Sequence, residues 1–151
     1  MKKNRFIVSA CLIGEPCRYD GESKKHPGIT RYLRKKDYLT LCPEMLAGWG
    51  SPRPSVQFFG GGAVGVVHGK TKIKDCRGRD RTESLLRGVS RALRQALRFG
   101  VREAILKDKS PSCGVRRIYM GGRLRRGEGV FTYRLREKGI GVRSEESFGD
   151  R

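Results

Sequence analysis

Three short apolar runs in this chain each break off at or near a cysteine: FIVSAC at 6–11, YLTLC at 38–42 and AILKDKSPSC at 104–113. Runs of this length, bounded by glycine, proline or polar residues, read as buried strands. In an open, mainly parallel α/β sheet, ligands gather outside the carboxyl ends of the strands, where residues far apart in sequence converge. Cys11, Cys42 and Cys113 are therefore candidates for one metal centre held by three separate loops. They are too widely spaced for a zinc ribbon, whose ligands arrive as close C-x-x-C pairs. The competing reading is that each thiol is a small buried hydrophobe.

The rest of the chain supports an α/β organisation. Leu85, Leu86, Val89, Ala92, Leu93, Ala96 and Leu97 recur at helical spacing and predict a helix over 82–99, opened by Asp80 and Glu83 and stopped by Gly100. A strand over 101–107 follows at once, which makes a βαβ half-unit. Strands are also expected at 5–10, 38–42 and 140–142, and a helix at 130–138. The stretches 14–21, 48–65 and 120–129 are rich in glycine and proline and read as loops. Nothing points to ATP, and no nucleotide cofactor is expected.

The 151 residues suit one domain spanning the whole chain. Thirty-four lysines and arginines against 15 acidic residues give a formal charge of +19, a field that favours polyanions or acidic substrates. RNA is the first candidate partner, and solubility alone is the plainer account. Arg87, Arg91, Arg94 and Arg98 line one side of the long helix, as a solvated face or as a track for phosphates. The first eleven residues imitate a lipoprotein signal, but five residues between Arg5 and Cys11 fall short of the roughly 7–15 that a secretory apolar region needs. A cytoplasmic protein with five reduced cysteines is expected, with no membrane span.

Glu44 follows Cys42 by two residues, close enough to move a proton at a metal-bound group, or else it merely begins a short helix. Lys107, Ser110 and Ser112 lie on the approach to Cys113. Three thiolates on a 4Fe-4S cluster would leave one iron open, and soft iron prefers a sulfur donor. Cys17 could act as a fourth ligand, but that would close the open iron, so a supporting role is expected. Arg18 and Asp20 should tie their loop together or contact substrate. A thiol redox protein would be expected to carry C-x-x-C, which is absent.

The strings VSACLIGEPCRYDG (8–21), CPE (42–44), SPRP (51–54), ILKDKSPSCG (105–114) and SEE (144–146) resemble the thiouracil desulfidase family in order and spacing. The resemblance implies a Rossmann-like three-layer α/β sandwich with a small, mainly parallel sheet. It also implies a 4Fe-4S cluster on Cys11, Cys42 and Cys113, and hydrolytic, ATP-independent removal of sulfur from a thiolated uracil such as 2-thiouracil. Glu44 would be the acid/base, and Ser110 would hold or polarise substrate. Arg18, Asp20, Lys107 and Ser112 would line the substrate site. Thiouridine in tRNA is the alternative substrate, and a basic RNA-binding module with a structural metal site the alternative class. Trp49, Ser55, Gln57 and Met120 depart from the family pattern, and Cys76 belongs to none of its strings.

Overall fold

The computed structural model describes residues 4–148; the basic start of the signal-like segment, residues 1–3, lies outside them. Strand β1 (Arg5–Ser9) is flanked by β2 (Asp37–Leu41) and β5 (Glu103–Leu106), and β8 (Gly141–Ser144) completes a parallel four-stranded sheet in the order β2-β1-β5-β8. Side-chain alternation explains its burial on both faces. Phe6 and Val8 of β1 and Ile105 of β5 point into one apolar cluster with Ile29 and Leu33 of α1 (Pro27–Leu33). Ile7, Ala104 and Leu106 point into the other, against Leu85, Val89 and Leu93 of α4 (Thr82–Phe99) and Phe131 and Leu135 of α5 (Val130–Glu137). Helices on both faces make the expected three-layer α/β sandwich.

α4 has the predicted bounds and ends at Gly100 in the left-handed conformation. Its cap differs from the expected box: Oδ1 of Asp80 accepts from the amide and hydroxyl of Thr82 at 2.9 and 2.6 Å. Leu86 is only partly buried and Leu97 is half exposed, so the buried face is narrower than the periodicity suggests. Gly88 lies where α2 (Pro43–Leu46) crosses α4. A Cβ there would stand 2.3 Å from the carbonyl oxygen of Pro43, so only glycine admits this approach.

A second four-stranded sheet was not expected from the sequence. It runs β4-β3-β6-β7, from β3 (Val56–Phe59), β4 (Lys72–Asp75), β6 (Arg117–Met120) and β7 (Arg123–Arg126). Its β3–β4 and β6–β7 pairs are antiparallel and β3–β6 is parallel. β3 falls inside the 48–65 stretch, α3 (Ala63–Val67) begins in it, and β7 falls inside 120–129, where loops were expected. The run Gly60–Gly65, which follows β3 and enters α3, has G-x-G-x-x-G spacing. Its surroundings are unlike a dinucleotide site. α3 is five residues long and β4 returns antiparallel. Thr71 Oγ1 would meet a Cβ on either Gly61 or Gly65 and bonds the Gly60 carbonyl at 3.2 Å; the glycines make room for Thr71. No described helix is long and apolar enough to cross a membrane.

Candidate active site

The register of the parallel sheet brings the expected residues to one edge. Ser9 is level with Leu41, and Leu106 with Ser144, so four strands discharge their following loops on the same side. Cys11 sits two residues past β1, in a short 3-10 turn over Ala10–Ile13. Cys42 sits one residue past β2 and caps α2, with Pro43 in the first helical position and Glu44 in the first turn. That placement suits both residue types, because proline has no amide to lose there and a carboxylate meets the positive end of the helix dipole. Cys113 lies in the loop that joins β5 to β6.

These loops enclose a cavity of about 370 Å³ lined by Cys11, Cys17, Cys42 and Cys113, together with Glu44, Ser110, Ser112 and Lys107. Arg18 also lines it. Asp20 does not: it stands behind Arg18, its Oδ2 3.1 Å from the guanidinium, so the pair ties the loop together. Cys76 is exposed and lies outside the cavity. Tyr19, Gln57 and Tyr119 form part of the wall, and the two tyrosines are 46% and 43% exposed, as befits a mouth.

The hydrogen bonds around Glu44 are divided between its two oxygens. Oε1 accepts from Nε and Nη2 of Arg53 at 3.2 and 3.0 Å. Oε2 accepts from the hydroxyls of Ser112 at 2.9 Å and Ser110 at 3.3 Å. The two serine hydroxyls are themselves 3.1 Å apart, and Ser112 Oγ is 3.6 Å from Cys113 Sγ. A continuous chain of exchangeable protons therefore joins the carboxylate to one thiol. Glu44 both begins a helix and faces the cavity.

The loop carrying these serines is held from below. Asp108 Oδ1 accepts from the amides of Lys109, Val115, Arg116 and Arg117 at 2.8–3.1 Å. Burial alone would raise the pKa of Asp108, but the amides of Arg116, Arg117, Val115 and Lys109 outweigh it and hold the carboxyl below its ordinary range. Oδ2 is buried without a partner among the described residues. Glu145, after β8, accepts from the Asp108 amide at 2.7 Å and pairs with Lys107 Nζ at 3.0 Å. The carbonyls of Pro111 and Ser112 take the free amides of Val130 and Phe131 at the start of α5. Gly114 is obligatory, since a Cβ would stand 2.7 Å from the Ser110 carbonyl oxygen.

Sequence reasoning missed Arg53, Asp108 and Glu145 as parts of this site. All three stood inside the family-like strings, Arg53 in SPRP, Asp108 in ILKDKSPSCG and Glu145 in SEE, which were the available signal.

The thiols lie close to one another. Cys17 is pushed up to about 11, first by its hydrogen bond with Cys11, against the lowering effect of Cys42 and with burial adding to the rise. Cys42 is pushed well above a free thiol by its contact with Cys17 and then by burial. Burial also pushes Cys113 up to about 12, against the hydroxyls of Ser9 and Ser112. Among the described residues, no three His, Cys, Asp or Glu side chains converge as a single metal ion requires; the thiols border a space. Soft sulfur donors around a buried cavity, with no histidine in its lining, are a donor set that fits an iron–sulfur cluster.

Comparison with known proteins agrees with this geometry. A solved structure, the [4Fe-4S]-dependent thiouracil desulfidase TudS, superposes with a TM-score of 0.82 at 39% identity, covering 96% of this chain and 93% of that one. An uncharacterized protein of Bacillus subtilis, YbbK, is 35% identical over 148 residues, 96% of this chain and 98% of its own length. The 2-thiouracil desulfurase family model matches residues 6–147, from the first strand to the turn after the last. With cysteines, CPE glutamate and SPSC serines all brought to one cavity, this chain belongs to the 2-thiouracil desulfurase family.

Proposed function

We propose that this protein is a desulfidase that hydrolyses a thiolated uracil to uracil and sulfide, using a 4Fe-4S cluster held by Cys11, Cys42 and Cys113. The observation that carries the reading is Glu44 Oε2, shared by two serine hydroxyls at the wall of a cavity bordered by these three thiols. When bound, the cluster supplies a Lewis-acidic iron with an open position for sulfur. The chain's own residues handle the proton. Glu44 Oε2 takes a proton from the water that attacks the thiocarbonyl carbon, and Ser110 and Ser112 steady the carboxylate and pass the proton on towards the departing sulfur. The C=S bond is replaced by C=O, water is consumed, hydrogen sulfide leaves, and no electron is transferred.

Tyr19 and Tyr119 at the mouth offer apolar faces to a flat ring. Lys107 and Arg18 bring positive charge to the lining, and the cavity suits a free base.

The test is anaerobic reconstitution with iron and sulfide, then assay of sulfide and uracil release from 2-thiouracil. Cys11→Ala, Cys42→Ala and Cys113→Ala should each lose the cluster by iron count, and Cys17→Ala should keep it. Glu44→Gln should keep its iron while kcat falls by about 10²–10⁴. A normal cluster in any of the first three variants, or full turnover by Glu44→Gln, would sink the assignment.

A further inference from the structure

We infer that Arg53 is a positioning residue that fixes the plane of the Glu44 carboxylate, so that one oxygen is held towards the reaction, an inference that rests on the desulfidase reading above. The terminal torsion of a glutamate is broad, and an unheld carboxylate would swing its plane away from the serines. Here that swing is blocked. Nε and Nη2 of Arg53 both point at Oε1, while Nη1 donates to the Gly50 carbonyl at 2.6 Å. The backbone amide of Arg53 donates to the Tyr19 carbonyl at 2.7 Å, so the guanidinium is fixed at its root as well as at its head. Its side chain is 5% exposed, whereas the four arginines along α4 are all exposed. Burying a guanidinium is costly unless it is paired and hydrogen-bonded, and here each of its three nitrogens has a partner. With Oε1 occupied, Oε2 alone remains for Ser110, Ser112 and the attacking water. Lysine would keep the charge but not the fork, because its ammonium is a point donor.

Arg53→Ala and Arg53→Lys, reconstituted beside the wild type, test this by iron per chain, uracil affinity by calorimetry, and kcat and KM for 2-thiouracil. Iron content, uracil affinity and KM should stay within about threefold of wild type, while kcat falls about 100-fold in Arg53→Ala and about tenfold in Arg53→Lys, the scale on which misplacing a reacting group acts. Millimolar guanidinium should restore part of the kcat of Arg53→Ala and none in Glu44→Gln. Wild-type kcat in Arg53→Ala, a loss that only tracks iron content, or no response to guanidinium would overturn the inference while leaving the desulfidase reading intact. No sulfide release from the wild type would overturn that reading and the inference with it.

Discussion

The cavity wall and the outer face of α4 use the same residue types in opposite ways. Around the cavity, Arg53 is buried and every nitrogen of its guanidinium has a partner, while Asp108 gathers four amides on one oxygen. Along α4, Arg87, Arg91, Arg94 and Arg98 are exposed, and of these only Arg91 makes a described side-chain hydrogen bond, to the Leu46 carbonyl at 2.8 Å. Charge count is therefore a poor guide to where an arginine matters. Desolvation decides it, because a buried charge must be paired and an exposed one is already satisfied by water.

This contrast can be attacked first at Asp108. Asp108→Ala takes the side-chain acceptor from the amides of Val115, Arg116 and Arg117, while that of Lys109 keeps the Arg117 carbonyl at 3.1 Å, and should lower unfolding free energy by about 3 kcal/mol or more, measured by urea denaturation. A loss under 1 kcal/mol would mean that the loop holds itself. The charge is separable from the contacts. Because the folded pKa is depressed, the ionised form stabilises the fold above the ordinary carboxylate range of about 4 and ceases to do so as pH falls through the lowered value. The stability gap between wild type and Asp108→Asn should therefore shrink between pH 6 and about pH 3; a constant gap would assign the effect to shape alone.

Gly88→Ala comes next. The added methyl would press on Pro43 and Ala47, with an expected cost of about 1–3 kcal/mol. Because α2 carries Glu44, kcat should fall as well, and a variant that loses stability but keeps kcat would show that α2 shifts as a unit. The smallest effect is expected on the far side. Arg87→Ala, Arg94→Ala and Arg98→Ala should each change stability by less than about 0.5 kcal/mol and leave kcat on 2-thiouracil unchanged. A loss of turnover in any of them would erase the distinction between the two regions.

Much of the parallel sheet was legible in the sequence. α4, β1, β2, β5 and α5 fall within a few residues of their expected bounds, because their periodicity and punctuation are local properties. The second sheet was not legible. RLRR (123–126) is almost wholly charged, VQFF (56–59) sits among prolines and glycines, and each is only four residues long. Such strands exist because neighbouring strands complete their hydrogen bonds, and a single segment does not display that.

The same division runs through the site. The sequence by itself named the three thiols, Glu44 and the SPSC serines as candidates, through their places beside strand ends and in strings that resemble the family's, since residue type and spacing are local properties. The tertiary structure alone decided that Arg53 takes one oxygen of Glu44 and the serines the other. It alone decided that Glu145 reaches back 37 residues to the Asp108 amide. Sequence patterns report what each segment will bury, and only the folded chain shows which distant donor meets which acceptor.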